Sequence, residues 1–342
     1  MSQMMKLGDL RLRSGAFLPG VEVAYTAIGT LAPAGDNAIL VTHGFTSAHT
    51  MIEPGHVVAE GSWAGLVGPG RPLDTDRHLV VCSNMLGSAF GTTGPRAINP
   101  ATGRPWGPDF PDITLADIVE VQHRLLQGLG VTRLRAVIGP SFGGLQALQW
   151  VLDHPDRVDA IGVVSSDFSS PAGQGKAQQI ARLANSAQWH GGWYYDKGGM
   201  VETLRAQRRQ TLRGYGLERL QASRGLSPEQ ADERIEAECR QWAERFDANS
   251  LPVLAGAAEH FDAHERLQEI RARVLLVQTT TDAVFPATEA ARRHLARVAG
   301  PSRYVEIDSP FGHMAASVEL ARWQHEIAWL LDNGPDAAGA VQ

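Results

Sequence analysis

Short apolar runs alternate with helical periods over the first half of the chain. Val21 to Tyr25 alternates between apolar and polar positions, while Ala38 to Val41 and His78 to Cys82 read as strands buried on both faces. Thr114 then opens a helical pattern with Ile118, Val119, Leu125, Leu126 and Leu129 on one stripe, stopped by Gly130. Another apolar run, Leu134 to Ile138, precedes good helix formers to about His154, and a further run follows at Ile161 to Val164. Strands alternating with helices predict βαβ units and a mostly parallel sheet.

After Ser170 the pattern changes. Residues 171–258 carry several helical periods and no convincing strand. One helix is predicted to begin at Ser227-Pro228-Glu229-Gln230, where Ser227 can cap, Pro228 suits the first turn and Gln230 completes a capping box. The expectation is an α/β protein whose core is built from 1–170 and 259–342, with an all-helical lid over 171–258. Strand character returns at Val274 to Gln278 and at Tyr304 to Ile307. An amphipathic helix over about Ala316 to Leu331 is expected to close the fold, and the last ten residues to fray.

Composition narrows the picture by exclusion. With 342 residues, 43% of them hydrophobic, the chain can bury a large core. A formal net charge of -6 gives no footprint for nucleic acid, and apolar stretches of strand length give no membrane span. The start lacks the apolar segment of a signal peptide, so a cytoplasmic setting is expected, with Cys82 and Cys239 as free thiols. Without a His-Glu-x-x-His run or clustered cysteines, no metal or redox cofactor is expected.

The most specific chemistry lies at Gly139-Pro140-Ser141-Phe142-Gly143. A serine between an apolar run and a helical pattern reads as a nucleophile elbow, a sharp turn that pushes Ser141 out of the sheet. Its flanking glycines admit a close backbone approach. Such a serine needs a base, and the base needs a group to orient it. Asp282 follows the strand ending at Gln278 and His313 follows the strand ending at Ile307, in the chain order serine, acid, histidine. The other late histidines, His294 and His325, fall inside helical patterns. The oxyanion formed on attack needs preorganised N–H donors. Those expected are Phe142, directly after the serine, and Phe45 in the loop His43-Gly44-Phe45-Thr46. His43 is expected to brace that loop.

Longer stretches carry a resemblance. Asp74-Thr75-Asp76-Arg77, Ser83 to Gly87, Gly91 to Pro95, Ser141 to Trp150, Arg245 to Ser250 and Ile307 to His313 together resemble the homoserine O-acetyltransferases of the α/β-hydrolase superfamily, over nearly the whole chain. The resemblance implies a Ser–Asp–His triad and an acetyl-serine loaded by acetyl-CoA. It also implies a helical lid that mediates a homodimer, and an arginine and a tyrosine on that lid, here Arg208 and Tyr215, that hold the substrate carboxylate. By its sequence alone Arg208 also reads as a solvated neighbour of Arg209.

One departure bears on the acceptor. These transferases carry, after the catalytic histidine, an aspartate that binds the ammonium of homoserine; here Met314 stands in that place. A buried ammonium without a carboxylate loses a charge-assisted hydrogen bond of about 1.5–3 kcal/mol. Phe45 and Phe142 also replace smaller or more flexible residues beside the acyl site. The sequence therefore puts hydrolysis of short acetyl esters first. An acetyl-CoA-dependent O-acetyltransferase of homoserine or another alcohol is the alternative. In either case the partner is a small-molecule ester or acyl donor.

Overall fold

The computed structural model describes residues 2–55, 62–173 and 175–332, so the tail expected to fray lies outside the described residues. Its centre is an eight-stranded sheet made of β1 (Gln3–Arg11), β2 (Phe17–Ile28), β3 (Ala38–Thr42), β4 (Leu79–Ser83), β5 (Leu134–Pro140), β6 (Ala160–Val164), β7 (Arg273–Thr279) and β8 (Ser302–Ile307). The spatial order is β1-β2-β4-β3-β5-β6-β7-β8. β2 runs antiparallel to both neighbours, and the remaining pairings are parallel.

The central strands read as continuous apolar runs because both faces of the sheet are covered. Along β3, Ala38 and Leu40 join Val137, Ile161 and Leu276 in one apolar layer, while Ile39 and Val41 join Ile138, Leu275 and Val277 in the other. Helices α1 (Leu115–Gly128) and α2 (Phe142–Asp153) cover the first face. α1 starts at the expected residue: Thr114 caps Asp117 N–H, and the Asp117 carboxylate accepts from Thr114 N–H at 2.8 Å. β1 escaped the sequence reading because it is an edge strand with mostly exposed side chains.

Between β6 and β7 stand α3 (Lys176–Ala184), α4 (Val201–Gly214), α5 (Leu217–Ser223), α6 (Pro228–Ala243) and α7 (Ser250–Ala258), with no strand of the sheet among the described residues. α6 begins on the capping box of Ser227 and Gln230. Its Ile235 and Cys239 pack on Leu212, Leu217 and Leu220, while Glu236 pairs outward with Arg205 and Arg209. α7 belongs to the base of the molecule: Val253, Leu254, Ala257 and Ala258 enter the main core.

After α8 (Glu289–Leu295), the single C-terminal helix expected over Ala316 to Leu331 is broken. It consists of α9 (Ala315–Val318), a 3-10 turn at Leu320–Arg322 and α10 (Glu326–Leu331). Wholly buried Trp323 explains the break. Its ring packs 5.8 Å from Trp63 and its Nε1 donates to Ala316 O at 2.8 Å, which requires backbone angles (φ -137, ψ -16) outside the helical range. His325 is accordingly the N-cap of α10, not a helix-interior residue.

Candidate active site

The strand order creates the site. From β3 the chain moves outward to β4, then returns to place β5 on the other side of β3. Loops leaving the carboxyl ends of β3 and β5 therefore diverge, and a crevice opens between them. The loop His43-Gly44-Phe45-Thr46 leaves β3, Ser141 leaves β5, Asp282 follows β7 and His313 follows β8. These strands are parallel, so all four segments share one edge of the sheet.

Ser141 sits at φ 55 and ψ -121, a strained conformation for a residue with a Cβ, held by its N–H donating to Val164 O at 2.8 Å. The glycines of the motif have a steric cause. A Cβ at either Gly139 or Gly143 would lie 2.2 Å from Thr42 O, and one at Gly144 would lie 2.6 Å from Ser166 Cβ. α2 starts directly after Ser141, so its positive N-terminal end points at this serine.

Asp282 is buried and divides its carboxylate between two tasks. Oδ1 accepts from the N–H groups of Val284 (2.7 Å) and Phe285 (3.1 Å), which shapes the turn. Oδ2 faces His313 Nδ1 at 2.8 Å, leaving Nε2 as the ring nitrogen available to a hydroxyl. The two loops are tied together through Thr281 Oγ1, which donates to Ser309 O and accepts from Gly312 N–H. Tyr215 and Phe285 flank the imidazole, with centroids 4.6 and 6.3 Å away, and both line the cavity that Ser141 lines.

His43 braces the other loop and is wholly buried. Its Nε2 accepts from Met85 N–H at 3.2 Å, so Nδ1 carries the proton and donates to Gly44 O at 2.9 Å. A neutral ring with both nitrogens engaged has no capacity to act as a second base. A buried chain of hydrogen bonds reaches the same loop from behind. Trp150 Nε1 donates to Gln122 (2.6 Å), Gln122 to Gln146 (2.7 Å), and Gln146 to His43 O (3.0 Å). The sequence reading missed these residues, although two glutamines facing an apolar core are a signal of a satisfied polar network. Phe45 and Phe142 pack ring to ring at 5.7 Å, and among the described residues neither backbone N–H has a protein acceptor.

Two cavities meet here. One of about 530 Å³ is lined by Ser141, Phe45, Phe142, Tyr215, Phe285 and residues of α7, while its neighbour of about 580 Å³ is lined by Arg208, Arg182, Thr46 and Trp242. Phe45, Tyr215 and Val284 belong to both. Arg208 is 2% exposed, not a solvated neighbour of Arg209. It donates to Thr46 Oγ1 at 2.6 Å and lies 4.8 Å over the Trp242 ring, whose Nε1 donates to Thr46 O at 3.0 Å. Met314 lines neither cavity. It is buried against Leu212, Leu217, Leu220, Ile235 and Cys239, where an apolar side chain gains from packing on α4, α5 and α6.

A family model described as the alpha/beta hydrolase fold matches residues 37–319, the class of protein that the sheet order and the serine elbow define. The homoserine O-acetyltransferase of Rhodospirillum rubrum is 35% identical, across 96% of this chain and 92% of its own length. Among solved structures, the homoserine O-acetyltransferase of Bacillus anthracis superposes with a TM-score of 0.84 at 25% identity, covering 97% of this chain and 98% of that one. Esterase E22 superposes with a TM-score of 0.85 at 25% identity, covering 97% of this chain and 100% of that one. The chain belongs to the homoserine O-acetyltransferase family.

Proposed function

We propose that Ser141, His313 and Asp282 act as a catalytic triad and that the protein transfers an acetyl group from acetyl-CoA to the hydroxyl of a small alcohol, with homoserine the first acceptor to test. Ser141 Oγ attacks the thioester carbonyl while His313 Nε2 takes its proton. The N–H groups of Phe45 and Phe142 stabilise the oxyanion. The tetrahedral species collapses to acetyl-serine, and the proton on His313 passes to the departing thiolate of CoA. The acceptor hydroxyl then gives its proton to His313 and attacks acetyl-serine, and Ser141 leaves with the proton restored.

The observation that carries this reading over hydrolysis is the second cavity. Water needs no compartment of its own, whereas an acceptor does, and the cavity beside Ser141 presents Arg208, Arg182 and Tyr215 to an anionic group. The transferase relatives point the same way, shifting the weight from the hydrolysis that the sequence put first. Ester hydrolysis is the second reading. It is favoured by the likeness to esterase E22.

Purified protein given acetyl-CoA with and without homoserine, with free thiol followed, separates the two. Homoserine-dependent thiol release supports transfer. Brisk hydrolysis of a short acetate ester without acceptor-dependent release supports the esterase. Ser141→Ala is expected to abolish both, together with the 42-dalton mass gain of roughly one acetyl group on the wild-type protein.

A further inference from the structure

Away from the site, α1 and α2 bring three metal-ligating side chains together. Glu120 and His123 stand one turn apart on α1, and His154 is the residue at which α2 ends. One ligand atom from each lies within 4.8 Å of the others. Glu120 Oε2 and His123 Nδ1 are 3.8 Å apart. A tetrahedral zinc with bonds of about 2.0–2.1 Å needs its ligands roughly 3.4 Å apart, a closure within reach of side-chain rotation.

Two further features favour an ion. The two imidazoles lie 4.3 Å apart at 40°, and both pack on Trp150, which walls one side. Arg124 occupies Glu120 Oε1 at 2.7 Å and orients the carboxylate, with Oε2 left towards the rings.

We propose that Glu120, His123 and His154 bind a divalent transition-metal ion of the zinc type, clamping α1 to the far end of the helix that carries Ser141. Two imidazoles and one carboxylate select zinc and its neighbours over magnesium or calcium, which prefer oxygen ligands. The sequence reading expected no metal, for want of a His-Glu-x-x-His run or clustered cysteines; His154 lies far from Glu120 and His123 in sequence, and the packing of α1 on α2 unites them. This site is independent of the proposed acyl transfer.

The test uses full-length protein stripped with EDTA and titrated with zinc chloride in a calorimeter. One site of micromolar or tighter affinity is expected, with a rise in Tm under zinc and none under magnesium or calcium. Cobalt(II) should give the visible absorption of a low-coordinate site. His154→Ala, His123→Ala and Glu120→Gln should each weaken binding by at least about tenfold. The milder His154→Gln, checked by circular dichroism, covers the case in which an alanine variant fails to fold. His264→Ala, at the other close imidazole pair with His294, should leave binding unchanged. Absence of a micromolar site on the wild type, wild-type affinity in His154→Ala or His154→Gln, or loss of binding in His264→Ala would each overturn the proposal.

Discussion

At the residue scale, the candidate site depends on how single side chains divide their bonding. Asp282→Asn can keep its carbonyl oxygen on the Val284 and Phe285 N–H groups, so the turn should survive. Its amide would then face His313 Nδ1 with a donor and impose the wrong tautomer. The expected result is unchanged Tm with turnover down about 10³–10⁴-fold. Met314→Asp places a carboxylate among Leu212, Leu217, Leu220, Ile235 and Cys239 and should cost about 2–4 kcal/mol, read as a lowered denaturation midpoint. A gain in homoserine-dependent thiol release without that cost would place residue 314 at the acceptor instead. Both cysteines are free and buried, and burial pushes the Cys239 thiol up to about 11 and Cys82 higher still. A thiol reagent at neutral pH should therefore label neither in the folded protein and both after unfolding.

Elements were legible where burial is two-sided or a cap is explicit. The apolar runs of β3 to β7 and the capping boxes at Thr114 and Ser227 could be read directly, as could the elbow and the loops bearing Asp282 and His313. What failed depends on contacts distant in sequence. β1 pairs along one edge and exposes most of its side chains, and Trp323 trades helical periodicity for a seat against Trp63. Whether Arg208 is solvated or buried, and what Met314 touches, are likewise set by how the inserted helices sit, which spacing does not encode. The elbow gives the sharpest prediction at this scale. Gly143→Ala would drive a Cβ to 2.2 Å from Thr42 O, against backbone that cannot yield cheaply. Loss of soluble protein, or a fall in Tm well beyond that of Gly70→Ala, where a Cβ meets nothing within 4 Å, is expected.

Across the whole molecule, the inserted helices grip both halves of the site. Arg219 donates to Pro310 O, and Gly216, at φ 93, lets α5 approach so closely that a Cβ would lie 2.8 Å from Phe311 O beside the His313 loop. On the other side, Arg208 and Trp242 hold Thr46 by its hydroxyl and its carbonyl. A double-mutant cycle of Arg208→Ala and Thr46→Val, read through kcat for acetate-ester hydrolysis, should give a coupling of about 1 kcal/mol. Strict additivity would mean that the inserted helices merely cover the loop.

That grip has a consequence for inheritance. Because the segment carrying Phe45 is fastened from above by side chains of the insertion, the two are not free to diverge separately. A chimera that imports the insertion of a distant relative must import its own fastening for Thr46 as well, or it will begin with the Phe45 loop adrift.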